Sequence, residues 1–260
     1  MLPESETYVR YRVERGAAIL TLDSPRNRNA LSTPLLAQLR RGLDSAADDP
    51  HVRAVVLTHT GGTFCAGADL GESSGSPEEA AAQRTRDMIA LLRRILELPK
   101  PVIGHVDGHV RAGGMGLVGA CDVVVAGPGA TFALTEAKLG LAASIISLTV
   151  LPRLAPRAAA HYFLTAERFG SEEAAAHGLV TVSTGDPAAT VGELLSDLRK
   201  CSPQGLAESK RLLTMRMLED FDRYGDELAA QSARLFGSDE AVEGISAFLQ
   251  KRPPYWATPE

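Results

Sequence analysis

Two glycine-rich stretches are placed where a chain could do chemistry with its own backbone. One is Cys65-Ala66-Gly67-Ala68-Asp69-Leu70, the other Ala112-Gly113-Gly114. Each follows a run that reads as a parallel-type strand, VVLTHTGGTF and PVIGHVDGHV. If those strands are neighbours, both turns emerge at one sheet edge, where ligand sites of α/β proteins form. Gly113 also opens a helix, whose dipole favours negative charge at that end. Two converging N–H groups would make an oxyanion hole, steadying an oxygen as it becomes anionic. Two ordinary tight turns would use glycine in the same way, and spacing alone leaves both readings open.

Three further patterns carry less. Gly114-Met-Gly116-Leu-Val-Gly119 is a literal GxGxxG, with Glu136 placed where a ribose-binding acid would be sought. The run VVV at 123–125 resumes a strand so soon after Gly119 that too little helix remains for a dinucleotide-type crossover. Gly71-Glu-Ser73-Ser-Gly75 matches GxSxG, but a nucleophile elbow needs a strand running into the serine, and polar loop surrounds this one. His105 and His109 have zinc-like spacing, yet VIGHV reads as strand and Asp107-Gly108 as turn, so the rings would not share a helix face. No metal site is expected.

The elements that must position these turns are legible from periodicity. Residues 8–13 and 17–22 read as a hairpin. Ser32-Thr33-Pro34 opens an amphipathic helix to about Ala47. VRAVVLTHT at 52–60 reads as a buried strand, and a helix runs from Pro77 to about Leu98. DVVVAG, ATFAL and LVTV (179–182) read as further strands, with a helical region up to residue 177. From Ala188 onward the pattern is helical. The expected fold class is α/β, with a core over 1–190 and a C-terminal helical segment over 191–260.

The 260 residues carry a net charge of −5, which argues against a broad nucleic-acid surface. No apolar run is long enough to span a membrane, and the charged start MLPESETYVRYRVERG lacks a signal-peptide core. Cys65, Cys121 and Cys201 are an odd set without a CxxC pair, and read as reduced, buried thiols of a cytoplasmic protein.

The segments SPRNRNAL, FCAGADL, PKPVIGHVDGHVRAGGMGLVGACDVVVAG, FALTEAKLGL and FLQKRPP, in this order, resemble the enoyl-CoA hydratase/isomerase (crotonase) superfamily from about residue 10 to 252. The resemblance implies a spiral of ββα units with a C-terminal helical trimerisation segment, assembled as a homotrimer or dimer of trimers. It implies an acyl-CoA thioester as ligand and no separate cofactor, coenzyme A being part of the substrate. The thioester oxygen would sit between the N–H groups of Ala68 and Gly113. Ala66, Gly67, Asp69 and Leu70 match the segment that wraps the CoA, with Gly114 and Gly116 beside it. Arg26 and Arg28 match the side that holds CoA from across the site, and Lys251 and Arg252 match a C-terminal basic site that can reach a CoA phosphate, sometimes across subunits. For these cations solvated surface is the plain alternative.

This sequence departs from the family at one place. Hydratases of the family use two glutamates; the second matches Glu136, but the first matches Gly116, which has no side chain. A hydratase in which Glu136 alone activates water and protonates C2 is favoured. An isomerase moving a double bond from C3 to C2 needs only one base, and a non-catalytic acyl-CoA-binding trimer is the third possibility. The stretch from GACDVVVAG to LAASIIS is similar to a branch that resembles methylglutaconyl-CoA hydratases, in which the hydroxyls of Ser144 or Ser147 could hold the water. On residue type alone, Ser144 could equally cap a helix, and Glu136 could be a surface acid at a helix start.

Overall fold

A computed structural model describes residues 6–69, 71 and 77–257. Strands β1 (Val9–Glu14) and β2 (Ala17–Leu22) pair as the expected hairpin. Arg15 and Gly16, both at positive φ, make its turn, as two-residue hairpin turns require. Helix α1 (Thr33–Asp48) begins at Thr33-Pro34 and buries Leu35, Leu36, Leu39, Leu43 and Ala46 along one stripe. Then follow β3 (Ala54–His59), β4 (Thr63–Cys65), α2 (Pro77–Glu97), β5 (Val102–Val106), β6 (His109–Arg111) and α3 (Gly113–Ala120). Strands β7 (Val123–Ala126) and β8 (Thr131–Ala133) lead into a 3-10 turn over Glu136–Leu139, then α4 (Ser144–Val150) and α5 (Pro156–Thr165). The chain ends with β9 (Phe169–Gly170), α6 (Ser171–Ala176), β10 (Val182–Ser183), α7 (Pro187–Lys200), α8 (Pro203–Phe236) and α9 (Asp239–Leu249).

Successive strands are dealt to two sheets. One has the order β1-β2-β3-β5-β7-β10, the other β4-β6-β8-β9. Each of β3–β4–α2 and β5–β6–α3 gives one strand to each sheet before its helix, so the expected spiral of ββα units is the architecture. The parallel strands β2, β3, β5 and β7 at the centre of the large sheet are apolar on both faces, as parallel strands are, while the antiparallel edge strand β1 is largely exposed. Val55, Leu57, Val102 and Val106 enter the main core. Val56, Ile103 and Val125 face the other way and are covered by α7 through Val191, Leu194, Leu195 and Leu198. Residue 190, where the sequence divides core from appendage, therefore lies inside a helix packed on the sheet.

Helix α8 lies against α2 and α4. Near its start, Lys210 Nζ meets Asp122 Oδ2 at 2.7 Å and donates to the carbonyls of Ile95 and Lys100. Both charged side chains are sealed, at 4% and 9% exposure.

Some sequence expectations need correction. LVTV does not pair along its length: the ladder takes Val182 and Ser183, while Leu179 and Val180 are buried as core side chains. Strands β4, β6 and β9 are too short to show a period of two. Cys201 is exposed, unlike Cys65 and Cys121. Among the described residues no helix is long and apolar enough to cross a membrane.

Candidate active site

Strands β4, β6 and β8 run parallel as neighbours, so the turns leaving them open at the same end of the small sheet. These are the turn at Ala66–Asp69, the start of α3, and the 3-10 turn at Glu136. Together with the loop after β2, α2 and the C-terminal helices, they enclose a cavity of about 710 Å³. That volume suits a small-molecule ligand.

The first two turns touch through their backbones. Gly67, at φ +91°, has no room for a side chain: a Cβ there would lie 2.8 Å from Ala112 Cβ and 3.4 Å from Gly113 N. Leu31 N–H donates to the Gly67 carbonyl at 2.8 Å and bridges Ala68 in parallel, which fixes the turn from outside. Ala112 sits at φ +46°, ψ −120°, sparsely populated by L-residues. Its N–H is tied to the Ala133 carbonyl at 3.2 Å, and such held strain gathers at functional sites. Ala68 and Gly113 both line the cavity. Among the described residues, no acceptor is recorded for either N–H.

Glu136 lines the same cavity. Its turn is closed by Leu141 N–H donating to the Glu136 carbonyl and by Gly140 in the left-handed region. Helix α9 seats directly on this turn: a Cβ on Gly140 would lie 2.6 Å from Glu240, and one on Gly244 would lie 2.6 Å from Leu139. The Glu136 Oε2 atom is buried without a hydrogen-bond partner. Burial pushes its carboxyl up to about 7, against the opposing pull of the Glu136 and Thr135 amides.

Gly116 lies behind the cavity wall and does not line it. A Cβ there would meet Ile146 Cγ2 at 2.6 Å and Met88 Cε at 3.2 Å, so apolar side chains occupy the space into which a side chain at 116 would grow. Gly114 likewise lies behind the wall, where an added Cβ would lie 2.8 Å from Cys65. Both expected contacts with substrate are therefore corrected to packing contacts between α3 and its neighbours. Gly116→Glu is expected to destabilise the fold and gain no hydratase rate. Overpacking alone costs about 1–3 kcal/mol, and a buried carboxylate adds to it. Denaturant unfolding beside an activity assay checks this; a stable, faster variant would show that the pocket can take a second acid.

Ser144 opens α4, lines the cavity and donates from Oγ to Gln231 Oε1 at 2.6 Å. It is the first residue of the helix and not its cap. Ser147 Oγ is turned onto the Ser144 carbonyl at 2.5 Å, and Ser147 is not among the cavity residues. Arg26 and Arg28 line the cavity as well. Their loop is anchored by buried Asn29, which the sequence reading passed over. Asn29 donates to the carbonyls of Thr60 and Thr63 and accepts from Ser24 N–H. Ala66 and Asp69 also line the cavity, and the Asp69 carboxylate accepts from Asn27 Nδ2 and Gly71 N–H. Leu70, and Ser73 of the GxSxG match, lie outside the described residues.

Lys251 and Arg252 are not in the cavity. Arg252 makes a two-pronged pair with Glu243, at 2.6 and 2.7 Å, and this exposed pair holds the segment after α9. Phe248 and Leu249 reach the cavity in their place. Four cations that the sequence reading did not single out also line it: Arg84, Arg111, Lys138 and Arg168. With only Asp69 and Glu136 opposing them among the described lining residues, the cavity is cationic in an acidic chain and suits an anionic ligand. Cys65 is no nucleophile, since burial pushes its thiol up to about 12. Among the described residues no group of three side chains could hold a metal.

The sequence profile of a family described as enoyl-CoA hydratase/isomerase matches residues 12–259. The 2,3-dehydroadipyl-CoA hydratase of Escherichia coli is 35% identical over 253 residues, covering 93% of this chain and 95% of that protein. The 1,2-epoxyphenylacetyl-CoA isomerase of the same organism is 32% identical over 255 residues, covering 95% and 97%. The crystal structure of an enoyl-CoA hydratase from Mycobacterium avium superposes with a TM-score of 0.92 at 54% identity, covering 97% of this chain and all of that one.

Proposed function

We propose, because this chain belongs to the enoyl-CoA hydratase/isomerase family, that it adds water across the C2–C3 double bond of a 2-enoyl-CoA thioester. The thioester oxygen accepts hydrogen bonds from Ala68 and Gly113. Glu136 takes a proton from water as the water oxygen attacks C3, and the displaced electron pair moves through C2 to the thioester oxygen, giving an enolate. The enolate collapses, and protonated Glu136 returns the proton to C2 on the same face, leaving a 3-hydroxyacyl thioester and a regenerated carboxylate. The observation that carries this reading is the buried, unpartnered Glu136 Oε2, in one cavity with the Ala68 and Gly113 amides, neither of which has a recorded acceptor among the described residues. A carboxyl near 7 suits a group that must be base and then acid in one turnover.

The absent second carboxylate favours one other reading, isomerisation of a 3-enoyl to a 2-enoyl thioester, with Glu136 carrying the proton from C2 to C4. Product analysis with crotonyl-CoA and a 3-enoyl-CoA separates the two. A 3-hydroxyacyl product from crotonyl-CoA supports hydration, and turnover of the 3-enoyl ester alone overturns it. Because burial raises the carboxyl, Glu136 is ionised only above about 7. The hydration kcat/KM is therefore expected to fall about tenfold per unit as pH drops below that value. A rate flat down to pH 5 would remove Glu136 as the base.

The proposed assembly is a homotrimer or dimer of trimers. Exposed Leu212, Leu213 and Met215 on α8 offer apolar surface that such an assembly would cover.

A further inference from the structure

The small sheet has two unlike faces. Phe64, Val110, Phe132 and Phe169 point into the core. The alternate residues Thr63, His109 and Arg111 line the cavity, as does Arg168 just before β9. Arg111 pairs with Ala133 across β6–β8. The antiparallel register of β8 and β9, Phe132 with Phe169, continues to set Arg168 beside that same alanine. By register, Arg111 and Arg168 thus stand on either side of Ala133. Arg111 is held by neutral acceptors only: the carbonyls of Val110 and Thr131, at 2.8 and 2.7 Å, and Thr131 Oγ1 at 2.9 Å. Arg168 has no recorded hydrogen bond or ion pair, and among the described residues no carboxylate pairs with either arginine.

We propose that Arg111 and Arg168 form a subsite for a carboxylate at the far end of the acyl chain, so that the substrate class is thioesters of dicarboxylic acids. This rests on the reading of the cavity as an acyl-CoA site. Planar guanidinium groups match a carboxylate's two oxygens. Arg111 lies two residues before Gly113, whose amide takes the thioester oxygen. The acyl chain begins at that oxygen's carbon, while the pantetheine arm carries the phosphates many bonds away, toward a site that already has Arg26 and Arg28. Burial and the nearby Arg168 charge pull Arg111 down to about 10, the mark of two like charges left without an anion. Lys138, whose recorded bond among the described residues is to the Ala166 carbonyl at 3.2 Å, adds a third cation to the same cavity.

The test uses saturated thioesters, which bind without reacting, so it does not depend on hydration or isomerisation. Calorimetric titration of the full chain compares glutaryl-CoA with pentanoyl-CoA, equal in carbon number and differing in the terminal group, and with CoA itself. Glutaryl-CoA is expected to bind at least about tenfold more tightly than pentanoyl-CoA, the scale of one charge-assisted contact. Arg168→Gln, an exposed position that leaves the core untouched, is expected to erase that preference, and Arg168→Lys to keep part of it. Equal affinities in the wild type overturn the proposal. So does an equal loss for all three ligands in Arg168→Gln, which would assign the arginine to a phosphate, and so does a changed oligomeric mass, which would assign it to a contact between copies. If the preference stands while no enoyl ester is turned over, the subsite holds and the hydratase reading fails.

Discussion

Glu136→Gln is expected to lower kcat for crotonyl-CoA hydration by about 10²- to 10⁴-fold, the usual worth of a placed general acid–base group, while the protein stays folded. Glutamine keeps the shape of the side chain but cannot take a proton from water. The oxyanion amides at Ala68 and Gly113 remain, so KM for the thioester should move little. The substitution also has a signature in stability. The folded carboxyl sits near 7, above its ordinary 4.5, so between those values the native state binds more proton than the unfolded chain. The contribution of protonated Glu136 is fully present below about 4.5 and is lost as pH rises through about 7. Wild type should lose thermal stability over that window, and the glutamine variant should lose less. Melting curves at pH 5 and pH 8 for both proteins measure this. Wild-type turnover by the variant would exclude the one-carboxylate mechanism; an identical pH response would place the Glu136 carboxyl in water.

Lys210→Met is expected to be the most damaging single change away from the cavity, at about 3–5 kcal/mol, the range for breaking a buried ion pair. Removing the ammonium leaves the Asp122 carboxylate sealed in the core with Val102 N–H as its recorded donor, and Asp122 Oδ1 already lacks a partner. The carbonyls of Ile95 and Lys100 lose a donor as well. These atoms join the end of α2, the approach to β5, the start of β7 and the helix α8, so the loss reaches both the sheet and its helical cover. Replacing both partners, as Lys210→Met with Asp122→Leu, should recover part of the stability, because it removes the uncompensated charge, although Val102 N–H then loses its acceptor and the two carbonyls stay without that donor. Urea unfolding of the single and double variants decides it. A single variant within 1 kcal/mol of wild type would mean that water reaches Asp122.

The sequence was informative where one local rule governs. The hairpin at β1–β2, the helix starts at Thr33 and Pro77, and the two glycine turns follow from alternation, capping and backbone freedom. The strand-to-turn order sets the two turns on one sheet edge, but Glu136 stands out only through the family resemblance; on residue type alone it reads as a surface acid. What it could not show depends on contacts distant in the chain. Three-residue strands have no period to detect. Asn29 reads as one polar residue among several until its partners at Thr60 and Thr63 are known. The apolar filling at Gly116 comes from Ile146 and Met88, on two different helices. Arg111 and Arg168 are far apart along the chain and meet only because β8 runs between their strands. Lys251 and Arg252 stand in the matching place along the chain, but neither lines the cavity of this chain, and Arg252 is turned toward Glu243.

Helix α8 has one further consequence, for the order in which the polypeptide is made. It carries the core anchor Lys210 near its start, and near its end Gln231, which holds Ser144, with Ser232 and Phe236 on the cavity wall. During translation, both glycine turns and Glu136 leave the ribosome well before this helix does, and before α9, which seats on the turn of Glu136. A growing chain therefore has its acid without the wall that dries it, and the site closes only once the last portion has emerged.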